Sequence, residues 1–243
     1  MIDVQGLTKR YVHPSTREPF EAVSGLTFSA EPGQVFGLLG PNGAGKTTTL
    51  RMLSTLISPD EGRATIAGHD LQGDPAGVRS SIGYLSTTTG LYDRLTAREL
   101  IAYFGRLQGV EDPRPRTEAL LDRLDIRRFA DVPCGNLSTG MKQKVSIARA
   151  IVHDPPILIL DEPTTGLDVL VAQTFLEFIE EARSDGRCVI FSTHIMSEAE
   201  RLCDRIAVVH QGRLRAVGTL EELRTQTGEH YLERIFISLV DGT

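Results

Sequence analysis

The chain has 243 residues, 40% of them apolar, enough to bury a sizeable core in one large domain. Its formal net charge of -6 disfavours wholesale nucleic-acid binding, which needs a basic face to neutralise phosphates. Three cysteines without a CxxC pair (Cys134, Cys188, Cys203) argue against a disulfide framework or zinc site, and no signal peptide or run of roughly 18 apolar residues is evident.

A soluble protein with buried free thiols is therefore expected, and any membrane spanning falls to another chain. Residues 1–34 hold short β-prone pieces, 2–4 and 26–28, broken by Gly and Pro as in antiparallel strands. Residues 35–39 are a buried strand ending at Gly40. A helix follows over 46–57 and is stopped by Ser58-Pro59. Residues 96–124 are helical, interrupted by Pro113 and Pro115, and read as a lobe inserted between core strands. Another helix covers 140–152.

The unbroken apolar run 157–160 is a strand covered on both faces. Leu167, Val171, Phe175, Phe178 and Ala182 then share one face of a helix that Gly186 ends. Residues 188–191 form another buried strand, and 206–209 and 214–217 flank Gln211-Gly212 as a hairpin. From residue 225 onward an apolar patch (Tyr231, Leu232, Ile235, Phe236, Ile237, Leu239) covers the core edge, with a partner contact as the alternative. The alternation predicts an α/β fold with a parallel sheet, whose ligands sit beyond the carboxyl ends of the strands.

Gly40-Pro41-Asn42-Gly43-Ala44-Gly45-Lys46-Thr47 fits G-x-x-x-x-G-K-[ST] between a strand and a helix, with Thr48 next in line. Gly43 and Gly45 let successive N–H groups converge on phosphates, and the helix directs its positive end at the same anion. Lys46 neutralises phosphate charge and the Thr47 hydroxyl ligates Mg²⁺. After the strand 157–160, Asp161 is placed to hold Mg²⁺ and Glu162 to take a proton from the attacking water; the plainer reading is an acid pair at a helix start. His194 stands at a third strand end, facing the γ-phosphate.

The phosphate loop alone permits kinases, GTPases and many ATPases. Leu137-Ser138-Thr139-Gly140-Met141-Lys142-Gln143, before a helix, narrows the choice, although a plain Ser N-cap would look similar. Together with Leu160-Asp161-Glu162-Pro163, Thr165-Gly166-Leu167-Asp168 and His194, the ordered set resembles the nucleotide-binding domain of ABC ATPases over nearly the whole chain. The resemblance implies a P-loop NTPase core with an N-terminal antiparallel β part (1–34), an α/β core (35–87 and 141–217), a helical lobe carrying the signature (88–140) and a C-terminal extension (218–243).

It further implies ATP and Mg²⁺ as ligands and a head-to-tail pairing with a second copy or a homologous ATPase subunit. Ser138, Thr139, Gly140 and Met141 of one copy close over the ATP of the other, and Asp168 lies at the seam. Tyr11 matches the adenine-stacking aromatic; a half-buried strand tyrosine is the alternative. The family usually has Gly at Thr139, Gln at Met141, and a Gln after Leu85 where Ser86-Thr87 stand. Residues 91–96 with the signature look like the subgroup similar to sodium-extrusion ATP-binding subunits. The implied function is an ATP-hydrolysing subunit, peripheral on the cytoplasmic face of a membrane, that powers a membrane-spanning exporter of sodium ions or small molecules and binds no nucleic acid. The alternatives are a soluble ABC-type ATPase acting on nucleic acid or ribosomes, and a regulatory module that holds nucleotide without turnover.

Overall fold

The computed structural model describes residues 1–13, 15–86 and 90–241. The first elements in chain order are β1 (Ile2–Val12), β2 (Pro19–Ala30), β3 (Val35–Leu39), α1 (Lys46–Leu53), β4 (Glu61–Ile66), β5 (His69–Asp70), α2 (Pro75–Ser81) and β6 (Ile82–Ser86). Next come α3 (Ala97–Leu107), α4 (Arg114–Arg123), α5 (Thr139–Ile151), β7 (Ile157–Asp161) and α6 (Val169–Ser184). The last are β8 (Cys188–Thr193), α7 (Met196–Leu202), β9 (Arg205–His210), β10 (Arg213–Gly218), α8 (Leu220–Thr227) and α9 (Leu232–Asp241).

These strands form two sheets. One is antiparallel, in the order β2-β1-β4-β5. The other runs β10-β9-β3-β8-β7-β6 and is parallel except for β10. The predicted α/β class with an antiparallel part and a helical insertion is what the chain adopts. Three details differ from expectation. The pieces 2–4 and 26–28 are parts of two long strands, because register shifts along β1 between Val4 and Arg10 break the alternation that would reveal one strand. The antiparallel sheet also takes β4 and β5 from the stretch 35–87, so it is not confined to residues 1–34. Helix α1 ends at Leu53 rather than residue 57, where Thr55 turns left-handed at φ 58°.

Strands β3, β7 and β8 are buried along their whole length, as parallel strands covered on both faces must be. Between the two sheets Phe28 stacks on Phe36 with ring centroids 4.9 Å apart. Burying each such ring stabilises the fold by about 1.5–3 kcal/mol. On the opposite side Leu100, Ile101, Leu120 and Leu121 of the helical lobe join Val145 and Ile147 of α5 in a second core. Helix α3 opens with a capping box in which Thr96 and Glu99 satisfy each other's backbone N–H.

Phe175, Phe178 and Ala182 of α6 are buried as expected, but Leu167 precedes the helix, which Asp168 caps. The apolar patch near the C-terminus covers the core edge in part: Leu232 and Ile235 pack with Leu39, Ile206 and Val208, whereas Tyr231 and Ile237 are exposed. Cys134, Cys188 and Cys203 are free thiols, and burial pushes Cys188 up to about 12. Among the described residues no helix is long and apolar enough to cross a membrane.

Candidate functional site

Parallel register sets the site. Leu39 of β3 pairs with Thr193 of β8, and Asp161 of β7 pairs with Ser192, so the three strand ends that carry polar motifs lie side by side. The phosphate loop leaves β3 and enters α1 through Gly43 at φ 81° and Gly45 at φ 103°, conformations glycine adopts without the steric cost of a Cβ. The Gln211-Gly212 turn of the β9–β10 hairpin braces the loop from behind, the Gly212 N–H donating to the Ala44 carbonyl at 2.9 Å.

Beside the loop lies an open cleft of about 470 Å³. Asn42, Gly43, Ala44, Gly45, Lys46, Thr47 and Thr48 line it, with Tyr11 and Glu162. Gly40 is buried beneath it. The Gly40 and Pro41 carbonyls accept hydrogen bonds from Lys46 Nζ at 2.7 and 3.2 Å. Lys46 Nζ also pairs with Glu162 Oε1 at 2.9 Å, its side chain only 3% exposed. The loop thus carries its own buried cation, already paired with the Glu162 carboxylate.

The Asp161 side chain is buried. Its Oδ1 accepts from the Thr47 hydroxyl at 3.0 Å and from the Ser192 hydroxyl at 2.8 Å. A hydroxyl and a carboxylate meeting beside a phosphate loop are the hard oxygen donors that would suit Mg²⁺. Glu162 holds a left-handed φ of 47°, a conformation costing about 1–2 kcal/mol in a non-glycine residue. Its N–H is held by the Ser192 hydroxyl at 2.9 Å and the Ser192 carbonyl at 3.2 Å. That turn aims Glu162 away from Asp161, toward Lys46 and toward His194 Nδ1 at 3.3 Å, while the Thr165 hydroxyl donates to Glu162 Oε2 at 3.2 Å.

Burial pushes the Glu162 carboxyl up, but Lys46, with His194 and Thr165, outweighs it and holds the group below the ordinary glutamate range. Because folding lowers this pKa, the contact stabilises the nucleotide-free chain above the unfolded value of a glutamate, and the contribution is lost as pH falls through the folded value. Glu162→Gln is therefore expected to unfold at lower urea than wild type at neutral pH, with the gap closing in acid. A gap that stays constant through the carboxylate range would contradict this coupling.

The signature segment is elsewhere. Ser138 caps α5, its hydroxyl accepting from the Met141 N–H, and Gly140 packs against Val171 of α6. Ser138, Gly140 and Met141 line a separate cavity of about 220 Å³, which shares none of the residues lining the phosphate-loop cleft. Thr139 is exposed at the start of the same helix. Asp168 caps α6, accepting from the Val171 N–H at 3.0 Å. Ser86 ends β6 opposite Asp161, whereas Thr87 lies outside the described residues.

Several participants escaped the sequence reading. Phe20 lies 6.1 Å from Tyr11, ring to ring, and both line the cleft with Gln211 and Gly212. Only the β1–β2 register, which sets Tyr11 opposite Phe20, brings that aromatic pair together. Ser192 holds both acids, and its place one residue after a buried strand run was its only sequence signal.

Comparison with known proteins points to one family. A family model described as ABC transporter matches residues 23–165. The ABC transporter ATP-binding protein NatA of Bacillus subtilis is 42% identical over 246 residues, covering 100% of this chain and 99% of that protein. The Nod factor export ATP-binding protein I of Ralstonia nicotianae is 39% identical over 227 residues, 93% of this chain and 69% of that protein. A solved dimeric ATP-binding cassette in a post-hydrolysis state, bound to ADP and Pi, superposes with a TM-score of 0.77 at 26% identity, covering 90% of this chain and 98% of that one.

Proposed function

The chain belongs to the ABC transporter ATP-binding family, and on that premise we propose that two copies close head to tail around two ATP molecules and drive a membrane-spanning exporter from its cytoplasmic face. Membership makes the protein an ATP-binding and ATP-hydrolysing transport subunit. One observation carries the finer reading: Lys46, Glu162, His194 and the Thr47–Asp161 pair surround one cleft, while Ser138, Gly140 and Met141 stand at another. A signature with no phosphate loop of its own fits a site completed by a second copy.

In this reading Tyr11 and Phe20 present their faces to adenine, and the N–H groups of the loop surround the phosphates. Lys46 exchanges its contact with Glu162 for the β- and γ-phosphates. Glu162, freed of that cation, takes a proton from the attacking water, and His194 positions the water and γ-phosphate. As the water oxygen bonds to the γ-phosphorus, the bond to the β–γ bridging oxygen breaks, leaving ADP and phosphate. Thr47 and Asp161 would hold Mg²⁺, which when bound neutralises charge on the phosphates. Ser138, Thr139, Gly140 and Met141 of the second copy cover the γ-phosphate, and Asp168 meets its counterpart copy at the seam.

The membrane partner docks a short helix in the groove of about 400 Å³ between β6, α3 and α5. Export is supported by the resemblance of residues 91–96 and the signature to sodium-extrusion subunits and by the relative named for Nod factor export; sodium ions or small molecules are the cargo classes. Phosphate release tests the reading. Turnover should depend on Mg²⁺ and change several-fold when the chain is assembled with its membrane partner in vesicles. Stimulation by DNA or ribosomes, with no response to the membrane protein, would overturn it in favour of a soluble ATPase.

A further inference from the structure

Arg149 of α5 is 6% exposed and lines the docking groove. Its guanidinium lies over the Phe104 ring, 5.2 Å from the centroid, and Nη1 donates to the Gly90 carbonyl at 3.2 Å. With the neighbouring Tyr92, those are its interactions among the described residues, and none is with an acid. An arginine has five N–H donors, and one of them is used here.

Three arginines of the neighbouring lobe are held differently. Arg98 pairs with Glu118 and Asp131, Arg123 with Glu181 and Asp185, and Arg127 with Glu118 and Asp122, all at more exposed positions. Exposed ion pairs contribute little to stability, whereas a buried guanidinium without a carboxylate is costly. Of these four arginines the most buried is thus the one without an acid, and the aromatic face of Phe104 offsets only part of that cost. Around it the groove carries Arg79 and His153, and no Asp or Glu is among its lining residues. His153 Nε2 meets the Ile82 carbonyl at 3.0 Å, and its Nδ1 is buried without a partner. Leu56 and Tyr92 stand exposed beside it, 58% and 53%.

We propose that the docking helix of the membrane partner seats a carboxylate on Arg149, with apolar side chains a turn away packing on Leu56 and Tyr92. A carboxylate fits the free edge of the guanidinium through two parallel hydrogen bonds, which gives this contact direction as well as charge. Specificity follows from the same feature: a helix with a basic or apolar residue at that point leaves Arg149 buried and unpaired. The inference rests on the reading that the partner docks in this groove.

The test uses the complex of the chain with its membrane partner, purified in detergent. Carbodiimide couples carboxylates to amines and not to guanidinium, so an Arg149→Lys complex should yield an amide between position 149 and an Asp or Glu of the partner, with wild type giving none there. A benzophenone amino acid replacing Tyr92 reports docking independently of charge. Arg149→Gln should lower retention of the partner by about tenfold or more while phosphate release by the isolated chain is unchanged. Photocrosslinking from position 92 to the partner, with position 149 joined to nothing or to an acid of this same chain, would overturn the carboxylate contact and leave the docking reading intact. No crosslink from either position, in a complex that remains assembled, would overturn both.

Discussion

Glu162→Gln is expected to cut phosphate release by about 10²–10⁴-fold while ATP remains bound, the range attributable to a positioned general base. The amide keeps the size of the carboxylate and can still accept from Thr165, so the cleft is preserved. What it loses is the ability to take the proton of the attacking water. On the proposed exchange of Lys46 from position 162 to phosphate, affinity should not fall, and a paired, ATP-filled species should accumulate. Equilibrium binding, size-exclusion chromatography with ATP, and single-turnover phosphate release read the three consequences separately. Turnover near the wild-type rate would remove Glu162 from the role of base and leave His194 as the remaining titratable group at the water.

The second large effect belongs to Lys46. Its side chain donates to two loop carbonyls and pairs with Glu162 while 3% exposed. Lys46→Ala removes the buried cation that the phosphates would meet. Losing one partner of a buried, hydrogen-bonded charge pair costs about 2–5 kcal/mol, so ATP affinity should fall by about thirtyfold to several thousandfold. The same change strands the Glu162 carboxylate, so the nucleotide-free variant should also unfold at lower urea. Its fold can be checked by circular dichroism before binding is measured, which separates a lost contact from a lost structure.

How far the sequence alone reaches follows from where each residue's information lies. The phosphate loop, the carboxylate pair and the signature are contiguous stretches whose chemistry depends on local spacing, and the structure places the first two at one sheet end as read. Their convergence was legible because β3, β7 and β8 are unbroken apolar runs, the mark of parallel strands buried on both faces. Phe20 was not legible, since it reaches Tyr11 only through antiparallel pairing across a bulged strand. Ser192 was hidden for a similar reason, its hydroxyl serving Asp161 and Glu162 from a neighbouring strand. The long extent of β1 was masked by its register shifts, and the transfer of β4 and β5 to the antiparallel sheet is decided by their pairing with β1, which no local pattern announces. Arg149 is legible as a helix residue and nothing more; its isolation from acids appears only when the groove is assembled.

Completion of each ATP site by a second copy is the centre of this account, and a mixing experiment tests it most directly. A chain carrying Lys46→Ala has an intact signature, and a chain carrying Ser138→Arg has an intact phosphate loop. Each alone should be nearly inactive, because both of its sites are defective. Mixed in equal amounts, half of the pairs are hybrids with one intact site, and turnover should recover to about a quarter of the wild-type value if sites act independently. Recovery to a clear fraction of wild type is the predicted result. Full activity of Ser138→Arg on its own, or a mixture that simply averages its two components, would contradict a site shared between two copies.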